Sequence, residues 1–247
     1  MTSHLTIPDS HIKPDQSHSR VRHLANFISE HQPDIIINMG DWFDLPSLSH
    51  YDIGTASYEG RRYSKDISAG RSSLEYLTNC IAKISQYNPQ LEFLIGNHEN
   101  RIDKVTDTDP RLIGTVGIGD LGATELGWRV TPFLQPRVID GIAYCHYFVS
   151  GVLSRAISGV NIGARLLAMQ NMSCIQAHNH TFDYSEKPKA DGGKVMGMTV
   201  GCYFTHREEW ARAANQLYWR GLVLVTDVAK GYGEMKKYGM KEVEDYV

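Results

Sequence analysis

Five short runs in this chain place metal-competent side chains against apolar stretches: Pro8-Asp9-Ser10-His11, Gly40-Asp41-Trp42-Phe43-Asp44, Gly96-Asn97-His98-Glu99, Cys145-His146-Tyr147-Phe148 and Ala177-His178-Asn179-His180. In extended backbone, residues two apart point to one face, so Asp9 and His11 can converge on a point, as can His178 and His180. Asn97 offers a neutral carbonyl oxygen and His146 a further imidazole. Taken singly, each run has an ordinary explanation. Gly-Asp is a common turn, Asp caps helices, and a lone histidine is most simply a hydrogen-bonded core residue. The set of five is harder to explain that way. Burying so many imidazoles and carboxylates unpaired costs several kcal/mol each unless a cation collects them.

Seven ligands are too many for one ion and suit two. Asp9, His11, Asp41 and His180 would surround one metal, and Asp41, Asn97, His146 and His178 the other. Asp41 is the natural bridge, because one carboxylate can give an oxygen to each cation. Asp44 would orient a ligand or cap a helix. The mixed nitrogen and oxygen set suits two divalent transition-metal ions, manganese first, with Fe, Zn, Co or Ni as alternatives, better than Mg or Ca.

The elements that must hold these runs follow from periodicity. Residues 5–9 read as a short first strand. Val21, Leu24, Phe27 and Ile28 share a helical face that ends before Pro33, and Ile35, Ile36 and Ile37 make a strand buried on both faces. Leu74, Leu77, Ile81 and Ile84 mark a second helix beginning near Ser68, and Leu91 to Ile95 a further strand. Beyond these, the runs around 137–148, 172–182, 194–204 and 221–227 read as four strands, with one helix over 161–170. Alternating strands and helices followed by a mostly-strand half predict two packed sheets with helices outside. The polar, turn-rich stretch 45–66 is expected to be a loop that covers substrate. Residues 230–247 are expected to be a peripheral tail.

Bulk properties agree with a single α/β domain spanning 1–247. The chain has 247 residues, 42% of them hydrophobic, enough for one large core. A formal net charge of −3 gives no basic footprint for nucleic acid, although a metal site can hold phosphate without one. The four cysteines never form C-x-x-C, as suits buried thiols in a reducing cytoplasm. With no signal-like N-terminus and no long apolar run, a soluble cytoplasmic protein is expected, with no membrane partner. Gly117-Ile118-Gly119-Asp120-Leu121-Gly122 matches the dinucleotide-binding spacing. It lacks a preceding strand and an enclosing βαβ unit, so a flexible turn is expected there.

In order and type, these residues resemble the calcineurin-like metallophosphoesterases, whose series is D-x-H, G-D-x-x-D, G-N-H-[DE], a lone His and G-H-x-H. Here the series reads Asp9-Ser10-His11, Gly40-Asp41-Trp42-Phe43-Asp44, Gly96-Asn97-His98-Glu99, His146 and Ala177-His178-Asn179-His180, with Ala177 in place of the usual Gly. Leu45-Pro46 and Ile95 stand where the protein Ser/Thr phosphatase branch has Arg-Gly and Arg. The G-D-x-F-D form is similar to the nuclease and phosphodiesterase branches, and compact single-domain members of this kind occur in bacteriophages, which would place the protein in a host cytoplasm.

The resemblance implies a four-layer α/β/β/α sandwich of two mixed sheets flanked by helices. It also implies two metals at the strand ends and hydrolysis of phosphodiester bonds by a metal-bridging hydroxide attacking in line. His98, beside Asn97, would then protonate the leaving oxygen, the structural alternative being a hydrogen bond that supports a ligand. Arg61, Arg62 and Tyr63 would hold the substrate's other phosphates or stack a base, or else lie in solvent or at a dimer contact. Substrates in keeping with this are DNA, RNA or a nucleotide. The rival readings are a phosphomonoesterase on the same metals and a metal-stabilised binding protein without catalysis.

Overall fold

The computed structural model of the chain describes residues 1–208 and 211–246. In chain order its elements are β1 (Thr2–Ile7), α1 (Ser19–His31), β2 (Ile35–Asn38), α2 (Tyr63–Ala82), β3 (Gln90–Leu94), α3 (Arg101–Thr108), β4 (Arg129–Thr131), β5 (Arg137–Ile139), β6 (Ile142–Cys145), β7 (Val149–Ser150), β8 (Arg155–Ala156), α4 (Ile162–Gln170), β9 (Cys174–Gln176), β10 (Phe182–Pro188), β11 (Lys194–Val200), β12 (Gly221–Ala229), β13 (Tyr232–Gly239) and α5 (Met240–Glu244). A six-stranded sheet has the order β13-β12-β1-β2-β3-β4, and a five-stranded sheet the order β10-β11-β9-β6-β5. Both are mixed. β1 to β4 run parallel, with β12 and β13 antiparallel at one side. In the second sheet β6, β9 and β11 are parallel, while β5 and β10 pair antiparallel at its edges.

Side-chain alternation along single strands defines the layers. On β2, Ile36 packs into a core with α1 and α2, among Leu24, Phe27, Leu74 and Leu77. Its neighbours Ile35 and Ile37 point the other way, into a second core with Tyr144, Ile175 and Met198 of the five-stranded sheet. On β6, Tyr144 faces that central core, whereas Ala143 and Cys145 face a third, closed by Ile162 and Leu166 of α4. Three cores between four layers make the expected α/β/β/α sandwich. Among the described residues, no helix is long and apolar enough to cross a membrane.

Several boundaries differ from the sequence expectation. The second helix starts at Tyr63 rather than near Ser68, because Tyr63 and Ile67 extend its apolar stripe by one turn. The stretch before it is ordered into 3-10 turns at Pro46–Leu48, His50–Asp52 and Ala56–Tyr58 rather than an open loop. The run 137–148 is a hairpin of two strands, since Asp140 and Gly141 take positive φ at its turn. The expected peripheral tail supplies edge strand β13 and α5, with Tyr238, Met240 and Val243 buried against α1 and β12. Its polar look comes from its place at the sheet edge: Glu234, Lys236 and Lys237 stay exposed while Tyr238 turns in. Residue 247 lies outside the described residues. The Gly117–Gly122 stretch is a 3-10 turn braced by Asp120, which accepts from Gly117 N and from Tyr63 Oη.

Candidate metal centre

The loops leaving β1, β2, β3, β6 and β9, all parallel strands, meet at one end of the sandwich and carry every candidate ligand. They are fastened to one another by backbone hydrogen bonds. Ser10 N and His11 N donate to Asp41 O at 3.0 and 2.9 Å, Ile12 N to Trp42 O at 2.7 Å, and Asp44 N to Ile12 O at 3.0 Å. His178 N donates to Asp9 Oδ1 at 3.1 Å, and Ala177 N to His146 O at 2.9 Å. Four of the candidate ligands hold positive φ: His11 (43°), Asp41 (54°), His178 (65°) and His180 (57°). Such backbone costs of order 1–3 kcal/mol each and persists only where the surroundings enforce it. The chain accepts strain to aim these side chains inward.

Asp41 Oδ2 lies at the centre of the group. It is 3.3 Å from His146 Nε2 and 3.8 Å from both His11 Nε2 and His98 Nε2. Asp9 Oδ2 is 4.0 Å from His11 Nε2 and 2.9 Å from His180 Nε2. Donor atoms of Asp9, His11 and His180 lie within 4.8 Å of one another, as do those of Asp41, His146 and His178. Asn97 Oδ1 sits 2.9 Å from His146 Nε2, which places it with the second trio. Asp41 thus stands near donors of both groups, 3.8 Å from His11 and 3.3 Å from His146.

The donors fit a cation. Asp9 Oδ2 and His11 Nε2 are buried without an aligned hydrogen bond, an expensive state for polar atoms. Separations of about 3–4 Å are those of ligands sharing an ion about 2.1 Å from each. The ring orientation also fits: His146 Nδ1 donates to Met39 O at 2.9 Å, so Nε2 is the nitrogen that faces the centre.

Charge tells the same story. Burial would raise Asp41, yet His146 and His98 hold its carboxyl well below the ordinary range. Burial and then His146 push His178 down to about 4, so its ring is neutral at pH 7 and able to ligate. His146 shows the reverse: against burial, Asp41 raises it to about 9.

Two glycines allow the close approach. A Cβ on Gly96 would stand 2.1 Å from Asp41 Oδ1 and 2.4 Å from Asp41 N. One on Gly40, whose φ is +92°, would stand 2.7 Å from Gly96 N. The Gly before Asp41 and the Gly before Asn97 therefore face each other, backbone against backbone.

Asp44 does orient side chains. Its Oδ1 is 3.2 Å from His11 Nδ1 and 3.0 Å from His98 Nδ1, and its backbone oxygen accepts from His98 Nδ1 at 2.7 Å. His98 itself stands near enough to Asp41 and His11 to be counted as a ligand. Its Nε2 lone pair, however, faces Arg101 Nη2 at 3.2 Å, and a guanidinium in that place disfavours a cation on that nitrogen.

Arg61 and Tyr63 are held elsewhere. Arg61 bonds Pro46 O at 3.0 Å and Asp52 Oδ2 at 2.6 Å, and Tyr63 Oη donates to Asp120 Oδ2 at 2.7 Å. Arg62 is exposed and donates to Arg61 O. None of the three touches a candidate ligand among the described residues. The first two brace the scaffold because the 3-10 turns fold back on α2 and carry them away from open loop positions.

Sequence reasoning passed over Glu99. It is fully buried, and its carboxylate accepts from Asp41 N and Gly96 N through Oε2 and from Phe43 N through Oε1, each at 2.9 Å. One side chain thereby clamps the loops after β2 and β3. Burial and then Asp41 push it up to about 7. The available signal was the acidic residue that closes the Gly96–Glu99 run directly after an apolar strand.

No family model matches the chain, and no curated protein matches it. Among solved structures, one described as Yfce, a phosphoesterase from E. coli, is similar over 96% of this chain and 99% of that one, at 12% identity and a TM-score of 0.41. Likeness at that level assigns no chemistry, so the functional reading rests on the donors of the site itself.

Proposed function

We propose that this chain is a metal-dependent phosphoesterase that hydrolyses phosphodiester bonds, with nucleic acid or a nucleotide as substrate. The observation that carries this reading is the convergence of donors from five strand-end loops on Asp41, with buried Asp9 Oδ2 and His11 Nε2 left for a cation. Asp9, His11, Asp41 and His180 would hold one ion, and Asp41, Asn97, His146 and His178 a second, manganese being the first candidate. Two such ions, when bound, supply hydroxide near neutral pH and polarise a phosphoryl group.

The residues do the remaining work. Asp44 fixes the imidazole of His98 through Nδ1, so Nε2 faces the candidate ligands. From there, in its protonated form, His98 would give a proton to a departing alkoxide. Asp41 lies 3.8 Å from it and raises its affinity for that proton against burial. His98 is partly exposed, as a group that meets substrate must be. Preference for a diester is supported by the Gly40–Asp44 motif and by Leu45-Pro46 standing where the protein phosphatase branch has Arg-Gly.

The test is hydrolysis of bis-p-nitrophenyl phosphate against p-nitrophenyl phosphate, with Mn²⁺ and with EDTA. Metal-dependent turnover favouring the diester is expected. Preference for the monoester would replace the diesterase reading with its phosphomonoesterase rival. Absence of turnover on both, with metals bound, would favour the binding protein.

A further inference from the structure

We infer that Arg101 contacts substrate in this site, its guanidinium donating to an oxygen of the bound phosphoester beside His98. This rests on the phosphoesterase reading above and adds a residue that lies outside the five sequence runs. Arg101 opens α3 three residues after His98, a spacing that puts both on one side of a helical turn.

Its side chain reaches back to the loop after β2. Nη1 donates to Asp44 O at 2.8 Å and to Leu45 O at 3.2 Å, while Nη2 lies 3.2 Å from His98 Nε2. His98 Nδ1 is committed to Asp44 O, so Nε2 is the accepting nitrogen. That nitrogen is also 3.8 Å from Asp41 Oδ2, around which the candidate ligands gather. The free edge of the guanidinium therefore stands at the rim of the centre.

Among the described residues the charge on Arg101 has no carboxylate in direct contact, and Asp52 feels it only from further away. Some guanidiniums have one, as Arg61 with Asp52 and Arg137 with Glu92, while Arg20 is held by backbone carbonyls. Arg101 is bound only by two backbone carbonyls and a ring nitrogen, and among the described residues no carboxylate lies within 4.0 Å of its nitrogens. It is half-buried and reachable. Leu45, whose carbonyl helps to hold it, has φ of +47°, a strained backbone for a leucine.

A cation fixed in place, with no carboxylate in contact, and aimed through Nη2 at an imidazole nitrogen is arranged for an anion. The planar fork of arginine matches phosphoryl oxygens, and a charged oxygen there would make a stronger bond than the imidazole does. No covalent step is added; the contact binds and orients.

A double-mutant cycle separates substrate contact from mere support of His98. Arg101→Met, His98→Asn and the double variant would be compared on bis-p-nitrophenyl phosphate with Mn²⁺, with melting temperature and metal content measured for each. Arg101→Lys serves as the gentler variant if Met impairs folding, and should recover part of the loss. Arg101→Met is expected to lower kcat/KM by about 10–100-fold, the worth of one charge-assisted hydrogen bond, and to do so again in the His98→Asn background. Inhibition by inorganic phosphate should weaken about tenfold. If Arg101→Met has no further effect once His98 is gone, and phosphate inhibition is unchanged, the residue only positions His98 and the inference fails.

Should the wild type hydrolyse no phosphoester, the functional reading fails on its own. The inference is then judged by calorimetry of inorganic phosphate on the Mn²⁺-loaded proteins, where equal affinity in wild type and Arg101→Met would overturn it.

Discussion

Gly96→Ala puts a methyl group where the structure has no room for one. The added Cβ would sit 2.1 Å from Asp41 Oδ1 and 2.4 Å from Asp41 N, against the 3.4 Å at which ordinary contact begins. Something must move by about 1 Å. Asp41 N is tied to Glu99 and Asp41 O receives Ser10 N and His11 N, so relieving the backbone contact strains these bonds and carries the Asp41 carboxylate out of place.

Metal sites tolerate about 0.2 Å in ligand distance, and a 1 Å misplacement at a catalytic centre can cost about 100-fold in rate. Overpacking adds about 1–3 kcal/mol of destabilisation. The assay is metal content after desalting, together with kcat/KM on bis-p-nitrophenyl phosphate and the melting temperature. Gly119→Ala is the control, since its Cβ would meet nothing within 4 Å. Loss of metal and of at least about 100-fold in activity is expected for Gly96→Ala alone. A Gly96→Ala protein with wild-type metal content and kinetics would refute the packing argument.

The other expectations concern single side chains. Glu99→Met keeps bulk but strips acceptors from three buried N–H groups, each worth about 1–3 kcal/mol, so the metal-free protein should lose at least about 3 kcal/mol in denaturant unfolding. Because the folded-state pKa of Glu99 is raised to about 7, its stabilising contribution is complete below its ordinary value near 4.5 and fades as pH rises through 7. The gap between wild type and Glu99→Met should therefore be widest near pH 5 and narrower at pH 8; a gap that widens with pH would contradict the clamp. His146, raised to about 9 beside Asp41, is protonated in the metal-free protein at pH 7 and must lose that proton to ligate. Calorimetric Mn²⁺ titrations in buffers of different ionisation enthalpy should show net proton release at pH 7, and affinity climbing toward pH 9. His98→Asn should leave metal content intact and cost about 10²–10⁴ in kcat for an alkoxide leaving group but little for p-nitrophenolate. Equal losses on both substrates would remove His98 from the acid role.

The architecture and the ligand loops could be read from the chain because both are local patterns. Ile35, Ile36 and Ile37 announce a two-sided strand, and D-x-H or H-x-H at a strand end needs no knowledge of distant residues. What escaped reading depends on contacts remote in sequence. Glu99 matters because it meets Asp41 N and Phe43 N, more than fifty positions away. Arg101 looks like a surface helix residue until α3 is placed against Leu45. β13 hid behind exposed lysines because an edge strand buries only part of one face. Arg61 and Tyr63 drew attention through composition, but 3-10 turns redirected them to Asp52 and Asp120. Positive φ at His11, Asp41, His178 and His180 was invisible too, since nothing in those residue types demands it.

The central claim, that Asp41 joins two ions in one site, is tested most directly by counting metal. Wild-type protein loaded with Mn²⁺, desalted and analysed for metal and protein together should carry two ions per chain. Asp41→Asn removes a carboxylate oxygen from the point 3.3 Å from His146 and 3.8 Å from His11, and should retain fewer than one ion on average. One tightly held ion per chain, unchanged in Asp41→Asn, would contradict the account.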